Sequence, residues 1–212
     1  LVPTAPPLNA PSPALQKRHA FMQELRDGLL DNLKEALRRP QPPELVARGH
    51  VLVAQYQALA PEVFLRVSAA RNADFTLQVC HGDLWHDHVL FRDDHVSGLI
   101  DFGAMKVESR TIDVARLLGS LACDDRLQWQ RGLEAYQELL PLGPQERQLL
   151  QLLDQTNVLL SGLSWLRWLL LEGRHFDHPE RIYERLDEFT QRLRCLARGE
   201  SGSSVAWPRD GE

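Results

Sequence analysis

Lysine is nearly absent from this 212-residue chain: of 24 basic side chains only Lys17, Lys34 and Lys106 are lysine, and the rest are arginine. Acidic residues number 29, for a formal net charge of −5. A nucleic-acid-binding surface is ordinarily basic, so this balance argues against such a partner. Cysteine is also scarce. Cys80, Cys123 and Cys195 are odd in number and scattered, with neither a CxxC pair nor a Cys/His zinc spacing. This excludes a dense disulfide framework and suggests free thiols in a reducing cytoplasm. Long apolar runs are missing too. A membrane span needs about 18 apolar residues, and the nearest stretch, 158–171, is interrupted by Arg167. The first residues are rich in proline, unlike the basic and then apolar opening of a secretory leader.

What remains is ordinary for a folded chain: 43% apolar and 25% charged residues. The length suits one ordinary domain or two small ones. Residues 1–14 hold five prolines and are expected to form an extended linker or tail. From Leu15 to Arg39, Met22, Leu25, Leu29, Leu33 and Leu37 recur at three- and four-residue steps, predicting a helix that Pro40 stops. A second helix is expected to begin near Pro43 and to end before Pro61. Short β-type runs follow at 75–80, 89–91 and 96–100, the last two separated by the polar turn Arg92-Asp93-Asp94-His95 of a hairpin. Helical patterns then occupy 111–122, 127–140, 145–171 (with a break expected near Gly162) and 179–198, and a Gly/Ser-rich flexible tail is expected over 199–212. The expected class is mainly α with a small central β-hairpin element. Trp165 and Trp168, three apart, read as part of a core stripe.

The central element carries the chemistry. It reads His81-Gly82-Asp83-Leu84-Trp85-His86-Asp87-His88, followed after the hairpin by Ile100-Asp101-Phe102-Gly103. Hairpin pairing brings the loop before one strand and the residue after the other to one edge, so Asp83, His88 and Asp101 are expected to be neighbours. Two carboxylates at one site repel unless a cation or proton sits between them. Such a pair suits a divalent metal together with a proton acceptor.

At these residues the chain resembles the aminoglycoside phosphotransferase and choline kinase group, relatives of the protein kinases. His81-Gly82-Asp83 matches the start of that group's HGDxxxxN loop, and His88 stands where the group has asparagine. Asp101-Phe102-Gly103 matches its metal-binding motif, and Asp113-Val114-Ala115 its Asp-Leu-Ala. The resemblance covers 15–198 and implies the helical C-terminal lobe of a protein-kinase-like α+β fold with the N-terminal ATP lobe absent. It implies ATP-dependent phosphoryl transfer to the hydroxyl of a small molecule: an aminoglycoside, amino alcohol, sugar or homoserine-like compound. Asp83 would be the catalytic base, and Asp101 would bind Mg²⁺ or Mn²⁺ on the ATP phosphates. His88 would stand at the second metal position, although imidazole suits softer metals. Asp113 and His81 would support the loop. The expected setting is the cytoplasm, with neither nucleic acid nor membrane as partner.

Two departures define alternatives. Up to Asp83 the only glycines are Gly28, Gly49 and Gly82, so no glycine-rich phosphate loop precedes the site, and Lys17 and Lys34 both fall in a helical pattern. Together with His88 in place of asparagine, this makes a non-catalytic pseudokinase that binds a ligand or partner the second reading. A third is a metal hydrolase built on His81, Asp83, His86, Asp87 and His88, whose order is neither the HxHxDH of metallo-β-lactamases nor the helical HExxH of zincins.

Overall fold

The computed structural model describes residues 8–205. In chain order the elements are β1 (Leu8–Pro11), α1 (Pro13–Glu24), a π-helical segment (Leu25–Leu29), α2 (Leu30–Arg38), α3 (Pro43–Ala70), β2 (Asp74–Cys80), β3 (Val89–Arg92), β4 (His95–Leu99), β5 (Lys106–Glu108), α4 (Thr111–Leu121), α5 (Arg126–Leu139), α6 (Pro144–Leu170) and α7 (Pro179–Ala197). Short 3-10 turns occupy His86–His88 and Phe102–Ala104. The chain is thus mostly helical with small antiparallel sheets. The described residues divide into two compact units, one of 8–14, 72–154 and 199–205, the other of 15–71 and 155–198.

The first unit is organised around β2, the middle strand of the antiparallel order β1-β2-β5. Phe75 and Leu77 are buried and alternate with exposed Asp74 and Thr76, the two-residue period of a half-buried strand. Residues 8–11, within the stretch expected as linker or tail, pair with β2, Leu8 opposite Leu77 and Pro11 opposite Asp74. β1 is an edge strand, where a proline lacking its N–H is tolerated. Pro3, Pro6 and Pro7 lie outside the described residues. Glu108 at the end of β5 is fully buried, its carboxylate accepting from the backbone N–H of Ala14 (2.6 Å) and Ser109 (2.9 Å).

Helix ends in this unit follow local chemistry. The Asp125 carboxylate caps α5 by accepting from the N–H of Leu127 and Gln128. At α6, Glu146 reaches back to the N–H of Gly143 and takes a two-pronged pair from Arg110, at 2.8 and 2.9 Å. Burial pushes the Glu146 carboxyl up, but Arg110 and the Gly143 N–H outweigh it and hold the group below its ordinary value. In the stretch expected as a flexible tail, Ser201 and Ser203 are buried and share a hydroxyl contact, and Gly202 lies against the Trp129 indole. Residues 206–212 lie outside the described part.

The second unit is helical. The helix expected over 15–39 is interrupted by the π-helical segment, where Gly28 takes φ +128°. A residue with a Cβ is strained there. α3 does not end before Pro61 but continues to Ala70. Pro61 is exposed, so the carbonyl it leaves unpaired belongs to the solvent face, while Val63 and Val67 remain buried and carry the helix on. α6 passes unbroken through Gly162, where a Cβ would press on Leu52 of α3. Arg48 of α3 holds Asp187 of α7 through two hydrogen bonds. Trp165 and Trp168 are half-buried and meet edge-on at 5.1 Å, with Phe176 against Trp165.

Candidate active site

The site begins where β2 ends. Cys80 is buried, and its thiol donates to the Glu108 carbonyl at 3.2 Å. Burial first, then the charges of Asp113 and Glu108, push that thiol up to about 12, so it stays protonated and unreactive. The chain turns at Gly82, at φ +85°, where a Cβ would collide with the Ala104 carbonyl. Glycine meets both conditions: it tolerates the left-handed region and lets the backbones approach.

One face of α4 grips the loop that follows. The Asp113 carboxylate accepts from the backbone N–H of His81 (2.7 Å) and Gly82 (2.8 Å). Arg116 donates from Nε to Oδ1 of Asp83 at 2.9 Å. Ser120 Oγ accepts from the N–H of His86 at 3.0 Å. These three residues are spaced three and four apart, so they lie above one another on a helix. They meet successive points of the loop in register. Asp113 therefore sits against the loop backbone, and Asp83 is held by its own side chain as well as by its neighbours.

The hairpin supplies the other half. β3 pairs with β4, Val89 opposite Leu99 and Arg92 opposite His95, with a bulge near Leu90–Phe91. Ile100 N–H donates to the His88 carbonyl at 3.0 Å, which brings Asp101 beside His88. Asp101 takes the left-handed conformation (φ 60°, ψ 61°), uncommon for a residue with a side chain and typical of constrained functional turns. Its Oδ2 lies 3.5 Å from His88 Nε2. His88 also bonds through Nδ1 to the Asp83 carbonyl at 2.9 Å. The three residues expected as neighbours, Asp83, His88 and Asp101, therefore meet with the His88 ring between the other two. His81 donates from Nε2 to the Ile100 carbonyl (2.9 Å) and its ring packs tilted against Phe102 at 5.1 Å, tying the loop to the end of the hairpin, and among the described residues its buried Nδ1 has no hydrogen-bond partner.

A profile of the phosphotransferase enzyme family matches residues 3–150, well over half of the chain, and includes the Asp83 loop, the hairpin and α4. The chain belongs to this family. The resemblance seen in the motifs is thus a family relationship. Two curated proteins similar to this phosphotransferase family member are homoserine kinases. That of Methylobacterium sp. (strain 4-46) is 33% identical over 150 residues, covering 63% of this chain and 46% of the relative. That of Methylobacterium nodulans (strain LMG 21967 / CNCM I-2342 / ORS 2060) is 36% identical over 110 residues, covering 49% of this chain and 34% of the relative. The matched part thus spans less than half the length of these relatives. A phosphotransferase of this kind uses a nucleoside triphosphate as co-substrate and usually a divalent cation.

Whether the residues present suit a cation can be judged from their donors. Mg²⁺ is held by one or two carboxylates together with phosphate oxygens and water. Asp101 fits: it is a hard oxygen donor, 64% exposed at its side chain. His88 does not, because its Nε2 accepts from the Trp85 indole N–H at 2.7 Å. Among the described residues no three His, Cys, Asp or Glu side chains converge as a metal cage, so the metal-hydrolase reading of His81, Asp83, His86, Asp87 and His88 gains no support. Among the same residues no helix is long and apolar enough to cross a membrane.

Sequence reading missed Arg116, Ser120 and Trp85. For the first two a signal existed, namely their spacing from Asp113 along one helix face. For Trp85 there was none, since its role depends on the His88 ring meeting its N–H.

Proposed function

We propose that this chain is the catalytic, C-terminal-lobe part of an ATP-dependent phosphotransferase acting on a small-molecule hydroxyl. The observation that carries the reading is the His88 ring standing between the Asp83 backbone carbonyl and the Asp101 carboxylate, on a loop held by Asp113 and Arg116. In this reading Asp83 accepts the proton of the acceptor hydroxyl as its oxygen attacks the γ-phosphorus, the bond to the bridging oxygen breaks, and ADP leaves. Asp101 would hold Mg²⁺, or Mn²⁺ in its place, which when bound supplies charge neutralisation on the phosphates. Asp113 and His81 hold the loop that presents Asp83. The printed names of the relatives make homoserine the first acceptor to try. We place the reaction in the cytoplasm, in keeping with scattered cysteines, and take its partners to be small molecules rather than nucleic acid or membrane.

The phosphate clamp would come from a segment outside this sequence or from another chain, since no glycine-rich loop or strand lysine precedes Asp83. Around the site Val79, Ile100, Phe102, Met105 and Val107 are exposed, and Val79 stands opposite Val107 across β2 and β5. Exposed apolar side chains such as these are consistent with such a cover. The same lack of a clamp favours the second reading, a non-catalytic ligand-binding relative. Incubating the full-length gene product with ATP, Mg²⁺ and a panel of homoserine, amino alcohols, sugars and aminoglycosides separates them. Transfer that disappears in Asp83→Asn supports the kinase. Ligand binding without transfer to any acceptor supports the pseudokinase.

A further inference from the structure

The His88 ring has both nitrogens committed. A carbonyl oxygen only accepts, so the 2.9 Å contact with the Asp83 carbonyl puts the proton on Nδ1. An indole N–H only donates, so the 2.7 Å contact with Trp85 Nε1 takes the lone pair of Nε2. The two requirements agree on a single neutral tautomer. The ring is held on both sides: it is 9% exposed, and it packs against the rings of Trp85 (5.5 Å, edge-on) and His81 (5.6 Å). Asp101 Oδ2 is 3.5 Å from the same Nε2, a separation that one metal ion could bridge if the lone pair were free. The lone pair is not free, because Trp85 holds it.

We propose that His88 is a positioning residue rather than a metal ligand: locked between the Trp85 N–H and the Asp83 carbonyl, it holds the turn that presents Asp83 and leaves Asp101, rather than the imidazole, open to a divalent cation. This deepens the kinase reading and rests on it for the meaning of the site, though not for the state of the ring. Trp85 is then the residue that keeps His88 from metal. The loop gains a buried brace where asparagine would offer an oxygen, and the cation retains a hard donor, as Mg²⁺ prefers.

The test uses the full chain labelled with ¹⁵N, without nucleotide and at neutral pH, with Zn²⁺ alone as the probe. Imidazole nitrogen correlations report which nitrogen carries the proton, and His88→Asn identifies the His88 signals by their loss. We expect a proton on Nδ1 only, and an Nε2 signal that Zn²⁺ does not move to a metal-bound position. In Trp85→Phe, which keeps a ring but lacks the N–H, Zn²⁺ is expected to move it. Three results overturn the assignment: the opposite tautomer or a doubly protonated ring, metal binding at His88 Nε2 in the unaltered protein, or no zinc response in a folded Trp85→Phe protein. Should that variant fail to fold, the tautomer and zinc response of the unaltered protein decide the matter. Since no nucleotide is present, absence of phosphoryl transfer would count against the kinase reading alone.

Discussion

Arg116 Nε and Asp83 Oδ1 lie 2.9 Å apart, joining α4 to a loop residue 33 positions earlier. The guanidinium also stands over the Trp85 ring, at 5.7 Å. The candidate base is therefore held by a neighbour that is itself packed in place. Removing the guanidinium leaves the Asp83 side chain to swing. In Arg116→Met we expect kcat to fall by about 10- to 100-fold, with KM for nucleotide little changed, since misplacement acts on the reacting geometry. Arg116→Lys should recover only part of the loss, because a single ammonium lacks the planar fork of the guanidinium. Steady-state kinetics with the best acceptor checks both, and an unchanged kcat in Arg116→Met would remove the positioning role.

Asp113 anchors the other end of the loop. Its carboxylate takes two backbone donors, and Asp113→Ala leaves both unmet. Charge-assisted hydrogen bonds carry more than neutral ones, so the expected cost is roughly 2–4 kcal/mol. The urea unfolding midpoint measures it. Amide exchange at His81 and Gly82 should quicken in the same variant, which separates a local role from a general loss of stability.

Gly82→Ala tests the turn itself. The new Cβ meets the Ala104 carbonyl, which is backbone, and the residue sits at φ +85°. Left-handed strain alone costs on the order of 1–3 kcal/mol, and the collision adds to it. A drop in thermal unfolding midpoint is expected, larger than for Gly98→Ala, where a Cβ meets open space.

In the helical unit, His19 predicts a dependence on pH. Burial first, then the charges of Arg71 and Arg26, lower its pKa from 6.5. Arg71 donates to its Nδ1 and Ser68 Oγ meets its Nε2, an arrangement for the neutral ring. The unfolded chain takes up a proton more readily than the folded one, so this contribution is complete above pH 6.5 and is lost as pH falls through the lower folded value. Urea midpoints compared between about pH 7.5 and pH 5.5 should decline less in His19→Gln than in the unaltered protein.

Much of this was legible in the sequence because it is local. The hairpin could be read from two apolar runs and a polar turn, and pairing alone then places Asp83, His88 and Asp101 together. α4 and α5 follow from periodicity. What was not legible depends on partners distant in sequence. β1 and β5 are strands because β2 lies beside them, and neither Leu8–Pro11 nor Lys106–Glu108 has a pattern of its own. α3 runs through Pro61 because buried Val63 and Val67 outweigh one missing hydrogen bond on an exposed face. The environment of His88 is the clearest case: a histidine in place of asparagine reads equally as a weakened Mg²⁺ ligand, a Mn²⁺ ligand or a hydrogen-bond partner of Asp101, and only the Trp85 N–H shows that its lone pair is already in use.

The measurement that bears most directly on the account is phosphoryl transfer from ATP to a hydroxyl acceptor, homoserine first, followed by ³¹P NMR on the full-length gene product and on its Asp83→Asn variant. The account predicts a phosphate ester and ADP in equal amounts, with a rate at least about 100-fold lower in the variant, as expected when a general base is lost. Turnover undiminished in Asp83→Asn would contradict it, as would neither nucleotide binding nor transfer to any hydroxyl acceptor.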